Sequence, residues 1–497
     1  MAFSIHILPS SDAIAALVLL GLGSFTKGLL SPLRTVPGPF LARFTRLWEI
    51  HAVRSRDFAT YNIALHKKYG SIVRLAPNRY SLNDADAGKW ILGHKTGLDK
   101  SNFYYPFGFV DTPNLFSETS NATHAKLRRP IAQVYSTTNL LHYEPFVDTC
   151  TAILIKRLDE YAREGKQLPV RELMQYYAFD VIGAITTGSR FGLLEENGDK
   201  SGIIEALDEG LDYSAIVGLI PVVHWWISKV VDLLGIKLSF IRMIDFINLH
   251  LNNRVSGRSK SPLGCQDFVD KMLQSEQDGK ATRTHTFIAC AQNIAAGSDT
   301  TAISLSSVIA HLCIYPEAMT KLRQELDEAR KDGRLSDPAT FQEAQKLPYL
   351  QAVIYEALRV HPAVGVPLTR VVGKAGAHLA GQYFPPGTEV GVNAWVIHNN
   401  EHIFGPDASQ FRPERWLSED SAERAALERN FLSFGIGPRT CIGKNISLLE
   451  MLKVIPQIVM GFDFELQRDE RSGERYTWRT SFFTKQSFCC LVRKRSR

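Results

Sequence analysis

FGIGPRTCIG, running from Phe434 to Gly443, is the stretch around which the rest of the chain makes sense. It holds one cysteine, Cys441, in a glycine-rich loop with Arg439 two positions before it. Ile442, Ile446, Leu449 and Leu452 follow at helical spacing, which puts Cys441 at or just before a helix N-terminus. The amides and dipole at such an end favour a thiolate over a thiol. Gly435, Gly437 and Gly443 let the backbone come close to something large and flat. An isolated cysteine is most often a small buried hydrophobe, so its meaning here depends on the motifs around it.

A long apolar run, THTFIACAQNIAAGSDTTAISLSSVIAHLCIY, occupies residues 284–315. It is helical in length, yet Gly297, Ser298, Asp299, Thr300 and Thr301 interrupt its centre. A buried helix ordinarily avoids a glycine followed by an acid and two hydroxyls. A Thr300 hydroxyl bonded to the carbonyl four residues back predicts a helix that opens and leaves a pocket. Further on, Pro348 starts a helix that stops at His361-Pro362, with Glu356 and Arg359 on one face. FRPERW follows at 411–416.

These four stretches resemble, in order and approximate spacing, the motifs of the cytochrome P450 family. Phe434, Gly437, Arg439, Cys441 and Gly443 match its haem-binding signature; Ala296, Gly297, Asp299, Thr300 and Thr301 match its oxygen-activation motif. Glu356 and Arg359 match its Glu-x-x-Arg pair, and Phe411, Pro413, Glu414 and Arg415 the segment that locks to it, with Trp416 where Phe is commoner. The resemblance covers about residues 37–497. It implies a mainly α fold with a small β-rich subdomain, and haem b between the 284–315 helix and the Cys441 loop. Cys441 is the implied ligand of the iron through its thiolate, which favours O–O cleavage. Thr300 and Asp299 are the implied catalytic pair, delivering protons to iron-bound dioxygen. His124 and Arg128 in THAKLRRP, together with Arg439 and Arg370, are the implied haem-propionate partners, and Phe434, Gly437, Gly443, Ala296 and Gly297 complete the cofactor contacts. Without the resemblance, THAKLRRP is a solvated basic helix start. Glu356, Arg359 and Arg415 are given a structural role.

The implied reaction is NADPH-driven monooxygenation of an apolar small molecule. Electrons come from a membrane-bound NADPH–cytochrome P450 reductase, with cytochrome b5 as a further donor, and the implied state is a monomer. The chain has no strand-GxGxxG-helix of its own for a nicotinamide. Desaturation, ring rearrangement or C–C cleavage use the same residues, and a non-enzymatic haem sensor is the remote alternative. The texture of NLFSETSNATHAKLRR and HNNEHIFGPDASQFRPERW is similar to fungal members acting on secondary metabolites, so terpenoid, polyketide and alkaloid substrates all stay open.

Residues 13–25, AIAALVLLGLGSF, are uncharged and mostly apolar, but short for a hydrocarbon layer about 30 Å thick. A cleaved signal peptide lacks support, since no Lys or Arg precedes the run. Lys27, Arg34, Arg43, Arg46 and Arg54 follow it, which keeps the body cytosolic. The expectation is an endoplasmic-reticulum anchor at 1–31, a proline-rich hinge at 32–39 and a haem domain at 40–497. On that topology the sequons at Asn121 and Asn445 are unused.

The 497 residues carry a net charge of +6, too mild to mark a nucleic-acid binder. Seven cysteines at irregular spacing, without a CxxC pair, indicate neither zinc nor a disulfide framework. Residues 70–83 read as a two-strand meander after a helix ending at Gly70. The aromatic span 102–120 reads as a functional loop, 216–236 as a broken apolar cover, and 480–484 as a hairpin tip.

Overall fold

Helices carry most of the chain between Phe58 and Gly461, and strands gather at its edges. The computed structural model describes residues 23, 25–26, 28–94, 96–108, 114–234, 239–258, 264–468 and 473–496. The helices that matter here are α1 (Phe58–Tyr69), α2 (Asn121–Ala132), α3 (Thr137–Glu164), α4 (Val170–Thr187), α5 (Ile203–Val217), α6 (Pro221–Leu234), α7 (Ser239–Val255), α8 (Arg283–Ile314), α9 (Pro348–Val360) and α10 (Lys444–Gly461). The strands are β1 (Ile72–Ala76), β2 (Arg79–Leu82), β3 (Gln167–Pro169), β4 (Leu368–Val371), β5 (Ala377–Leu379), β6 (Gln382–Phe384), β7 (Glu389–Val392), β8 (Phe462–Leu466), β9 (Thr477–Thr480), β10 (Thr484–Ser487) and β11 (Cys489–Lys494).

The main sheet has the order β1-β2-β7-β4, with β2 and β7 parallel and the other pairs antiparallel. The expected meander is β1–β2, and α1 stops at Gly70, whose φ of +92° suits glycine. A second sheet, β3-β11-β8, takes the Cys489-Cys490 pair into a strand. Hairpin β9–β10 projects residues 481–483 at its tip.

α8 is the central beam. It spans 32 residues, about 48 Å at 1.5 Å per residue, and is sealed by a capping box between Thr282 and His285. Two of its hydroxyls bury cheaply because they bond back onto the helix: Ser298 to the Ile294 carbonyl at 3.2 Å, Ser304 to that of Thr300 at 2.7 Å. The expected opening at 297–301 is absent, and the helix runs through it unbroken. Gly297 has a different reason. A Cβ there would stand 2.9 Å from Ile182, so glycine lets α4 pack close against α8.

Glu356 and Arg359 do not form an ordinary surface pair. Both are fully buried, joined by two 2.8 Å bonds. Arg415 adds a third at 2.8 Å, and the Trp416 indole donates to the same carboxylate at 2.9 Å. Arg359 spends its remaining donors on the carbonyls of His398, Ala408 and Gln410. With each polar atom matched, this knot ties α9 to the 398–416 segment beneath the Cys441 loop.

The proposed anchor lies mostly outside the described residues. Among those described, no single helix is long and apolar enough to cross a membrane. The hinge expected at 32–39 is non-helical but not free. Leu33 and Val36 are buried, the Arg74 amide donates to the Pro37 carbonyl at 2.8 Å, and a Cβ on Gly38 would collide with the Arg74 carbonyl.

Candidate active site

One cavity is enclosed by the Cys441 loop, the middle of α8, α2, α5 and the β9–β10 tip. Its floor is the loop. Gly435 and Gly437 have φ of +63° and +73°, and a Cβ on Gly437 would strike the Leu92 carbonyl. The Cys441 amide donates to the Phe434 carbonyl at 2.8 Å, and Gly443 caps α10. The cysteine sits deep in the protein with its side chain open to the cavity. Burial pushes its thiol up; the amides of Gly443 and Lys444 and the charges of Arg128 and Lys444 pull it down without prevailing. The helix end alone therefore does not make the thiolate that the sequence suggests. A metal cation bound at this sulfur would do so, since a coordinating thiol is deprotonated outright.

The back wall is α8. Ala296, Gly297, Thr300 and Thr301 line the cavity, and the Thr300 hydroxyl donates to the Ala296 carbonyl at 2.7 Å. Asp299 is not among the lining residues. It is buried behind the wall, where its carboxylate accepts from Gln175 of α4 and stands 2.9 Å from the Lys485 ammonium.

The rim is cationic. His124 and Arg128 of α2, Arg370 of β4 and Arg439 of the loop all reach the cavity. Lys126 and Arg129 face outward. Arg128 donates to the Thr440 carbonyl at 2.8 Å; Arg439 donates to Asn121 Oδ1 at 2.8 Å and to the carbonyls of Glu118 and Thr119. The sequence reading missed Lys100. It is buried in the same rim, donates to the Phe116 carbonyl at 2.5 Å and lies over the Tyr104 and Phe116 rings. No motif flags a lone lysine ahead of an aromatic loop. Burial, then Arg370 and Arg439, pushes the Lys100 ammonium well below its ordinary value; burial and the neighbouring cations, Arg439 first, push His124 to about 3. Burial and Arg370 likewise lower Arg439 to about 10.

This donor set fits haem. A soft sulfur ligand faces a broad, largely apolar cavity, and a surplus of buried cations at one edge matches a pair of carboxylates.

The roof is aromatic. Phe107 and Phe482 have ring centroids 4.7 Å apart, and Phe116 and Phe482 5.6 Å, so the loop after Lys100 and the hairpin tip close on each other. Leu207 and Leu211 of α5 and Val364 and Val366 complete it. The hairpin tip expected at 480–484 thus reaches the cavity through Phe482 and Phe483.

Residues 37–487 match the family model described as Cytochrome P450. The chain is 41% identical over 479 residues to a pisatin demethylase of Fusarium vanettenii, covering 94% of this chain and 91% of that protein. It is 33% identical over 510 residues to a cytochrome P450 monooxygenase of Aspergillus flavus, covering 97% of each. A further cytochrome P450 monooxygenase, from Penicillium aethiopicum, is 34% identical over 472 residues and 92% of each chain.

Proposed function

Because the chain belongs to the cytochrome P450 family and is a monooxygenase of it, we propose that it oxidises an apolar, ring-bearing secondary metabolite with electrons passed from NADPH through a reductase. The observation that carries this is that Cys441, the cationic rim and the Thr300 turn of α8 all line one aromatic-roofed cavity.

Cys441 would hold the iron of haem b through sulfur, and Arg128, Arg370, Arg439 and His124 would take its propionates. The bound haem supplies dioxygen activation, one oxygen atom entering the substrate and the other leaving as water. Thr300 supplies a proton-bearing hydroxyl on the cavity wall. At rest that hydroxyl is spent on the Ala296 carbonyl, so it must turn to serve. Asp299, one residue before it, is the reservoir behind the wall. The aromatic roof excludes water and orients a flat substrate by stacking.

Within this class, the likeness to demethylases favours oxidative loss of a methyl group, and we propose a methoxy carbon as the one attacked. Hydroxylation of that carbon leaves a hemiacetal, which breaks its C–O bond to release formaldehyde and the free hydroxyl compound. Reconstitution with a reductase, NADPH and methoxylated aromatic scaffolds tests this. Formaldehyde equal to the lost substrate supports it; a product that keeps its methyl group and gains one oxygen overturns demethylation but not monooxygenation.

We further propose that the body lies on the cytosolic side of the endoplasmic reticulum, with residues 1–31 as anchor, 32–39 as connector and 40–497 as the haem domain. Exposed apolar side chains on α6, among them Val222, Trp226 and Leu233, and on Phe40 and Leu41 support contact with a membrane surface. Quenching of tryptophan fluorescence by bromine-labelled lipid, weakened when Trp225 and Trp226 are changed to serine, tests the contact in the full chain.

A further inference from the structure

Gln292 stands on α8 two turns before Thr300, with Ala296 midway, and all three line the cavity. Residues four apart share a helix face, so the two polar side chains mark the ends of one strip of wall. At 1.5 Å per residue the strip is about 12 Å long. Ala295 and Ala296 keep it low between those ends, and Ile288 closes it one turn beyond Gln292.

The Gln292 end of the cavity is apolar around it, with Leu207 and Leu211 of α5 and the Phe116 ring opposite. The polar side chains nearby are already spent. Asn114 accepts from the Phe116 and Ser117 amides at 2.8 Å each and donates to the Phe107 carbonyl at 3.0 Å. Ser214 donates to the Pro106 carbonyl at 2.7 Å. Asn293 accepts from the Tyr135 hydroxyl and donates to Thr186 at 3.2 Å.

The 114–116 segment orients the Gln292 amide. With its oxygen toward that segment, Gln292 accepts from the Phe116 amide at 3.1 Å and the Leu115 amide at 3.2 Å. The reverse orientation offers only a 3.4 Å contact to Asn114 Oδ1, which two amides already occupy. The NH2 end, with its two donors, is then turned away from the segment and bonds to no acceptor among the described residues. Phe116 is fixed at the same time. Its carbonyl accepts from Lys100, and its ring packs edge-on against Tyr104 and Phe107, with centroids 5.4 Å away in each case. A flat molecule can stack on this ring while one end of it meets the Gln292 NH2.

We propose that Gln292 is a specificity-determining residue: its NH2 group donates to a carbonyl or ether oxygen at one end of a flat polycyclic substrate, and its spacing from Thr300 selects a substrate whose attacked methyl carbon lies about 12 Å from that oxygen. This deepens, and rests on, the demethylation of a ring-bearing metabolite proposed above. A substrate without the oxygen leaves a desolvated donor unpaired, and the site discriminates against it for that reason.

The test uses the full chain with its haem and two matched pairs of probes. One pair is an anthracene with a methoxy group at one end and either an acetyl or an ethyl group at the other. The second pair is the naphthalene equivalent, one ring shorter. Dissociation constants are read from the change in the visible spectrum on titration. The parent should bind the acetyl anthracene about three- to tenfold more tightly than the ethyl anthracene and show no such preference between the naphthalenes. Gln292→Glu keeps an oxygen for the Leu115 and Phe116 amides but replaces the donor with an acceptor, so the preference should vanish or reverse. Gln292→Leu should abolish it. Equal binding of the two anthracenes by the parent, or a preference that survives Gln292→Glu, overturns the proposal. An equal preference between the naphthalenes overturns the spacing. Formaldehyde release in the presence of reductase and NADPH separates the layers. If the parent demethylates both anthracenes but binds them alike, this inference fails alone. If it binds neither pair and releases no formaldehyde, the demethylation reading falls and takes this inference with it. Should Gln292→Leu lose its haem, the parent's own preference and Gln292→Glu still decide.

Discussion

The Thr300 hydroxyl donates to the carbonyl oxygen of Ala296 at 2.7 Å, and both residues lie on the cavity wall of α8. The bond satisfies the hydroxyl without breaking the helix, and a single rotation of the side chain frees it. Thr300→Ala should keep NADPH consumption but divert most electrons to peroxide. Thr300→Ser, which keeps the donor, should stay close to the parent. Peroxide and product measured side by side decide, and equal coupling in Thr300→Ala removes the hydroxyl from the mechanism.

Gly297 is read here as a packing residue. Gly297→Ala gains up to about 1 kcal/mol of helix propensity but presses a methyl group against Ile182. Overpacking of this kind costs about 1–3 kcal/mol, so a net loss is expected. Combining it with Ile182→Ala should cost less than the sum of the two single changes, as denaturant unfolding would show.

The Glu356 knot should be the most sensitive polar site in the body. Glu356→Gln leaves Arg359 and Arg415 buried with one carboxylate fewer, a loss on the order of 3–5 kcal/mol. Lys321→Ala, which breaks an exposed pair with Glu414, should change stability by under about 1 kcal/mol. Urea titration of both variants makes the comparison.

Three buried histidines make the fold acid-sensitive. His66 is lowered to about 4, and His361 and His398 to about 3, in each case first by burial. His398 shows why: it pairs with the Arg359 carbonyl at one nitrogen and accepts the Leu432 amide at the other, a bond only a neutral ring can make. Below pH about 6.5 the unfolded chain binds protons that the folded one refuses, so stability falls as pH drops toward 4. Each histidine contributes about 1.4 kcal/mol per pH unit there, and His361→Gln should reduce the slope by one proton's worth.

Much of this was legible because the chemistry demands rare residues at fixed spacing. Cys441, His124, Arg128, Arg370 and Arg439 reach one cavity, and the 480–484 tip closes over it. What was illegible depends on partners distant in sequence. Gly297 looks like a helix defect until Ile182 is seen beside it. Asp299 looks like a cavity residue until Gln175 and Lys485 are found holding it from behind. Lys100 belongs to no spacing rule, and only the fold brings it to the rim.

The central claim is that Cys441 sulfur binds haem iron in the cavity under α8. The carbon-monoxide difference spectrum of the reduced protein tests it most directly. The account predicts the red-shifted Soret band of thiolate ligation in the parent chain and its loss in Cys441→Ser. A parent spectrum typical of histidine ligation, or a Cys441→Ser spectrum identical to the parent's, would contradict it.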